Sequence, residues 1–448
     1  MVGVVLEALV SYLQRTMQSR VCLRRRIPVR MSLAAGLLLG AFVVGCGSGG
    51  GAVVGDAGDA RGPDVKVGSG GSGSPDAGTD TGAGATGGRG GGAGGGQSGG
   101  AGAPATGGIT CPSAPDRVAA TDSLAVSFAP GVQVSTLAGS DVAGATDANG
   151  ADARFNNPVS ITRAASGDLF VTDYDSGGIR KVTVTGAVTT VATVGGLQPF
   201  GLVMVGPDQL IIDTDRNPQG AKTTSTSTIW SVSPVTGVST LVKADLGRTR
   251  GVALLPDGRI ALGDYRNHVI LILDPVTAAV TRLAGNGCPG FADGKGEDAR
   301  FQAPYGLVAR ADGKIIVADS GNDRLRLVSL DGTVTSIVGD GTFGTGDGAA
   351  LTAHLNGPVD VAIDTAGILY VSDAGGHRIR RVDASGQVTT LAGDGTAGFA
   401  DGPGSGARFY GQEGLDVSPD GTTLYVADGN FGDGSAFHRI RSLSIPTP

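Results

Sequence analysis

The chain has 448 residues, a formal net charge of −7 and only 4% aromatic residues. An acidic chain without a basic stripe repels nucleic acid and anionic lipid headgroups, so neither is an expected partner. Residues 47–110 hold 27 of the 80 glycines and no aromatic. That stretch is too poor in apolar surface to offset its ordering entropy, and it is expected to be a disordered tether.

In chain order, the first element is a basic region carrying Arg20, Arg24, Arg25, Arg26 and Arg30. An apolar run from Leu33 to Val44 follows, too short to span a bilayer. Val43-Val44-Gly45-Cys46 resembles the bacterial lipobox, in which the signal is cleaved before a cysteine that is then diacylated. The alternative is an ordinary secretory signal or a poor transmembrane helix. On the lipobox reading, residues 1–45 are a lipoprotein signal peptide with surplus upstream sequence and Met17 as a candidate start. Residues 46–120 are the lipidated cysteine and its linker, and residues 121–448 the folded domain. By resemblance to Gram-negative sorting, Gly47 after the cysteine implies the outer membrane, with the lipid anchor as the only membrane contact.

Residues 1–45 carry six arginines and one glutamate, so their removal takes the net charge from −7 to −12. Cys111 and Cys288 are then the cysteines left over. In an oxidising compartment they are candidates for a disulfide.

From Val171 onward the chain repeats one phrase six times: a strand, an aspartate, a short turn and a second strand. The marker aspartates are Asp173, Asp213, Asp264, Asp319, Asp373 and Asp428, evenly stepped except for a shorter first interval. Short Val/Ile-rich strands at a period of roughly 50 residues predict an all-β fold, a six-bladed β-propeller with one four-stranded blade per repeat. Apolar inner strands fall near residues 159, 200, 250, 305, 359 and 413. Gly/Asp-rich loops beginning at Ser135, Thr281, Thr335 and Thr389 lead into four of them. The last repeat ends without an outer strand, and Val132–Ala138 is a spare one. The N-terminal strand is therefore expected to complete the last blade and close the ring.

Gly367–Val382, read as Gly-x-Leu-Tyr-Val-x-Asp-x-x-x-His-Arg-Ile-Arg-Arg-Val, and Thr390-Leu-Ala-Gly-Asp-Gly closely resemble the NHL repeat family. The loop from Ser336 to Asp364 looks especially like the NHL domain of teneurins and their bacterial relatives. The resemblance covers about residues 130–445. Blade 2 departs most: it lacks the arginine after the turn and the long outer loop. The family implies a binding module, since most NHL propellers are binding domains, with a minority of enzymes such as the peptide-amidating lyase.

Repeated polar residues read first as blade-building contacts. Arg180, Arg326 and Arg380 each follow a marker aspartate by seven. In the long loops Asp147, Asp293, Asp347 and Asp401 are followed at seven by Arg154, Arg300, His354 and Arg408. Both sets are expected to be salt bridges or turn anchors. Function should lie where blades differ. Aligning the residue before the inner-strand glycine gives Val159, Phe200, Arg250, Tyr305, Val359 and Glu413 at the channel mouth. Phe200, Arg250, Tyr305 and Glu413 are the candidate ligand-binding residues, because aromatics beside arginine dominate binding hot spots. The alternative is that they merely plug the channel. Extra loops at Asn217–Thr228 and Gly429–Phe437 share that face.

Asp213-Thr-Asp215-Arg-Asn217 and the segment after Asp428 space oxygens like a calcium loop, but Pro218 and Thr224 replace its glycine and terminal acid. No resident cofactor is expected, with Ca2+ on Asp213, Asp215 and Asp428 as the rival. No nucleophile motif appears. The expected activity is non-catalytic binding of an extracytoplasmic protein, peptide or glycan. The alternative is a metal-dependent hydrolase or lyase at the channel mouth.

Overall fold

The structure, a computed structural model, describes residues 111–446 except 123 and 195. The residues read as a signal peptide, Cys46 and the Gly-rich stretch read as a tether lie outside the described residues. Within them, no helix is long and apolar enough to cross a membrane.

Six antiparallel sheets of four main strands are arranged as the blades of a propeller, and those of blades 4, 5 and 6 gain a short fifth strand from the entry loop. Blade 1 shows the pattern: inner strand Pro158–Arg163, second strand Leu169–Asp173, third strand Gly178–Val182 and outer strand Val188–Thr193. Inner strands of blades 2 to 5 are Pro199–Gly206, Thr249–Leu254, Pro304–Ala309 and Pro358–Ile363. Blade 6 takes its inner three strands, Gly411–Val417, Thr423–Gly429 and His438–Ser444, from the C-terminal end. Its outer strand is the N-terminal Gln133–Ser140, with Gln133 opposite Ser444 and Ser140 opposite His438. The ring therefore closes in the one-plus-three manner that the spare strand predicts.

Inner strands approach one another around the channel at glycines. A Cβ on Gly306 would lie 2.6 Å from the carbonyl oxygen of Val359 in the next blade, and one on Gly414 would lie 2.7 Å from that of Val159. The core lies between blades. Val134, Tyr370, Phe409, Leu415, Leu424 and Leu443, for example, form the layer joining blades 5 and 6.

Each marker aspartate holds the entry to its own blade by accepting a backbone N–H there. The partners are Asn156 for Asp173 (2.6 Å), Gly201 for Asp213 (2.6 Å), Arg248 for Asp264 (3.0 Å), Gln302 for Asp319 (2.8 Å), Asn356 for Asp373 (2.5 Å) and Tyr410 for Asp428 (3.0 Å). In blades 1, 4 and 5 the arginine seven residues on pairs with the marker, at 3.2, 2.7 and 2.9 Å. The long-loop spacing does not hold in the same way. Asp147, Asp293 and Asp347 pair with those same buried arginines, at 2.8, 2.6 and 2.6 Å. The residues seven on go elsewhere: Arg154 to the carbonyls of Ala151 and Ala153, Arg408 to Asp394, and His354 beside Asp122 and Asp340. The reason is geometric, since the loop folds over the third strand and presents its aspartate to the arginine there. Blade 6 uses Arg441, between Asp428 and Asp401. Phe155, Phe301 and Phe409 pack within 5.0 to 5.2 Å of the guanidinium groups of blades 1, 4 and 6.

Residues 111–120, assigned by composition to the linker, are fastened to the propeller. Cys111 forms a disulfide with Cys288 in the loop entering blade 4. Arg117 pairs with Asp323 and bonds Asn356 (2.9 Å), and Val118–Ala119 runs parallel to Thr342–Phe343. This strap is held largely by main-chain contacts and single polar pairs, which leave little compositional trace.

Removing one arginine of a triad strands two carboxylates, one of them fully buried. Arg326→Ala should cost about 3–5 kcal/mol. Chemical denaturation would read this as a lower midpoint at unchanged slope.

Candidate functional site

The six ring residues come together at the top of the channel, as the alignment of inner strands predicts, and none is more than 6% exposed. They form a plug. The Arg250 guanidinium lies 3.8 Å from the centre of the Phe200 ring, with Tyr174, Tyr265 and Tyr305 within 6.0 Å of it. Phe200 and Tyr305 meet edge-to-face at 5.6 Å, as do Tyr174 with Phe200 (5.8 Å) and Tyr265 with Tyr305 (5.4 Å). Across the channel, the Tyr305 hydroxyl donates to Glu413 Oε1 at 2.7 Å. Beneath the plug the six inner strands line a half-open cavity of about 190 Å3.

Asp215 is the polar hub. Arg248, Arg250 and Lys222 approach its carboxylate at 3.0, 3.1 and 3.4 Å, and the Tyr174 hydroxyl donates to it at 2.5 Å while accepting from Lys222 at 2.8 Å. Burial pushes this carboxyl up, but Arg250, Arg248 and Lys222 outweigh that and hold it well below the usual carboxylate range. Two residues earlier, burial pushes Asp213 up to about 7, against hydrogen bonds from Thr249 and Gly201.

The calcium candidates are thus placed apart. Asp213 faces Gly201, Asp215 is enclosed by cations, and Asp428 is committed to Arg441. Among the described residues no three His, Cys, Asp or Glu side chains converge to hold a metal ion.

Both extra loops contribute to the mouth. The loop Asn217–Thr228 supplies Lys222, whose amino group lies 5.5 Å from the Tyr174 ring. The loop Gly429–Phe437 supplies Phe431, packed against the plug, and Phe437, stacked on Tyr410 at 4.4 Å. Tyr410 in turn donates its hydroxyl to Asp433. The residues that sequence reasoning missed are Tyr174, Tyr265 and Arg248. The two tyrosines directly follow the markers Asp173 and Asp264, where the other blades carry Thr214, Ser320, Ala374 and Gly429. Aligning that position would have found them.

The fold and this mouth define a ring-closed six-bladed propeller with a plugged channel and a non-equivalent loop face. Residues 355–382 match the family model of the NHL repeat. The chain is thus a β-propeller that carries an NHL repeat in its fifth blade. It is 36% identical over 163 residues to NHL repeat-containing protein 2 of Bos taurus, which covers 33% of this chain and 22% of that protein. It is 44% identical over 81 residues to the chloroplastic protein Suppressor of quenching 1 of Arabidopsis thaliana, covering 18% of this chain and 8% of that one. The match thus spans less than a quarter of these relatives' length. Among solved structures, a Bacteroides ovatus protein described as an auxiliary nutrient binding protein superposes with a TM-score of 0.56 at 18% identity, over 70% of this chain and 77% of that one.

Folded Asp213 binds its proton more tightly than in the unfolded chain, where the carboxyl titrates near 3.8. The stability this group contributes is complete below about pH 4 and is lost as the pH rises through about 7. Asp213→Asn should therefore leave the melting temperature near wild type at about pH 4 and raise it by a few degrees at about pH 8. Equal shifts at both pH values in thermal scans would show that the carboxylate is not penalised by burial.

Proposed function

We propose that this protein is a bacterial cell-envelope lipoprotein, anchored through Cys46 and held on a Gly-rich tether. Its propeller binds an extracytoplasmic protein, peptide or glycan on the loop face without catalysis. The observation that carries this reading is the asymmetry of the mouth. Blades 1, 2, 3 and 6 raise Tyr174, Lys222, Tyr265 and Phe431 around it, whereas blades 4 and 5 present only the small turns Ser320–Asn322 and Ala374–Gly376.

Tyr265 and Phe431 are half-buried, rigidly packed from below and open above, and Arg266 lies 5.4 Å from the Tyr265 ring. Aromatic rings held in place beside cations supply contact area at low entropy cost. Arg250, Phe200, Tyr305 and Glu413 act from beneath, as the floor that fixes these rings. The description of the Bacteroides ovatus neighbour as nutrient-binding is in keeping with a binding role. The outer membrane is the proposed location, from Gly47 following Cys46.

Screening the purified protein on glycan and peptide arrays should yield a ligand whose affinity falls roughly tenfold or more in a Tyr265→Ala/Phe431→Ala variant. An affinity unmoved by that pair would place the binding surface elsewhere. For the anchor, Cys46→Ser should move the protein from the membrane to the soluble fraction. Mass spectrometry of the membrane-extracted protein should find a diacylglyceryl group on Cys46, and an unmodified N-terminus there would sink the lipoprotein reading.

A further inference from the structure

The strap shows, within one molecule, how the rim of this propeller holds an extended peptide. Past Ala119 it climbs the loop entering blade 5 and ends alongside that blade's outer strand, Gln387–Ala392. There Phe128 bridges Thr390 in parallel, with the Thr390 N–H donating to Ser127 O (3.2 Å) and the Ala129 N–H donating to Thr390 O (2.9 Å). The Ser127 N–H donates to Asp347 Oδ2 at 2.5 Å, and the Asp347 N–H to Ala125 O at 3.1 Å. Five residues before Ser127, Asp122 faces His354 at 3.2 Å. Leu124 sits on Gly346, where a Cβ would come within 2.3 Å of its own.

Blade 4 carries the same receiving surface one repeat earlier: Asp293 for Asp347, Arg300 for His354, Ser336 for Thr390 and Ala292 for Gly346. Asp293 holds Arg326 and Ser336 as Asp347 holds Arg380 and Thr390. The difference is exposure. The Asp347 side chain is 3% exposed under the strap, whereas that of Asp293 is 43% exposed. Ser336 is half-buried where Thr390 is fully buried, Arg300 is exposed, and Phe291 beside Asp293 is 44% exposed.

We propose that this blade 4 notch is a docking site for an extended acidic peptide from another protein. The peptide runs parallel to the outer strand Thr333–Val338, as the strap does on blade 5. Its backbone donates to Asp293 and pairs with Ser336. An Asp or Glu five residues before the one that donates to Asp293 meets Arg300, a permanent cation where blade 5 has a histidine. Ala292 in place of Gly346 demands glycine three residues before the one that donates to Asp293, because any Cβ there would collide. The strand pairing supplies affinity and the side-chain positions supply choice of partner. This notch lies on the outer rim, away from the channel mouth, so it stands or falls independently of the loop-face reading.

The probe is a fluorescein-labelled peptide of residues 120–130 carrying Leu124→Gly, titrated into the full protein with its own strap in place. Fluorescence anisotropy should show saturable binding at or below roughly millimolar peptide. Asp122→Lys in the peptide and Arg300→Glu in the protein should each weaken it roughly fivefold. Combining the two swaps should restore it, which a merely unfolded variant could not do. Absence of saturation, or an affinity indifferent to Arg300→Glu, would overturn the proposal. So would binding lost in His354→Glu but not in Arg300→Glu, which would mark exchange with the strap on blade 5.

Discussion

The interaction on which this structure depends is a buried arginine held between two aspartates from different parts of the chain. Arg180, Arg326, Arg380 and Arg441 are the largest side chains fully withdrawn from solvent. Each joins a marker aspartate on the second strand to an aspartate in the entry loop, and also donates to two loop carbonyls, such as Ala292 and Arg300 for Arg326. A charge so placed is tolerable only because both carboxylates and the carbonyls replace its water. The loop aspartate then reaches the outer strand, so one guanidinium fixes the second and third strands, the outer strand and the entry loop.

Blades 2 and 3 lack this device. Leu271 stands seven residues after Asp264, and both blades are entered by short connections rather than long Gly/Asp loops. Their buried arginines lie instead at the channel, where Arg248 and Arg250 meet Asp215. The repeat thus lapses in the sector where the loop face becomes distinctive, and the same residue types that build the regular blades are there turned inward to set the aromatic plug.

Much of the fold was legible because propeller blades are local: four strands adjacent in sequence leave a period that survives variation in the loops. The closing strand was legible by elimination, as Val132–Ala138 was surplus at one end and an outer strand lacking at the other. What escaped reading depended on distance. Arg441 stands farther from its marker than the other three arginines do, because the loop Gly429–Phe437 intervenes. Asp147 and Asp293 have an arginine seven residues on and Asp347 a histidine, yet all three pair with arginines most of a blade away in sequence. At the channel, the ring from Val159 to Glu413 followed from aligning inner strands. Its closure did not, because the covering rings of Tyr174 and Tyr265 come from a different turn of each blade. The strap was least legible of all, since backbone pairing with Thr342 and Thr390 asks almost nothing of its side chains.

The disulfide between Cys111 and Cys288 also sets where mechanical load enters the molecule. The closing strand Gln133–Ser140 is joined to blade 6 by non-covalent contacts alone, its hydrogen bonds to His438–Ser444 and the packing of Val134 and Ala138, and a pull along the chain from its N-terminal side would peel it away and open the ring. Because the chain is bonded covalently to the blade 4 loop well before that strand begins, tension arriving from beyond Cys111 passes into the loop and never reaches the strand. The propeller is clamped ahead of its closing seam, much as a cable is gripped before its connector.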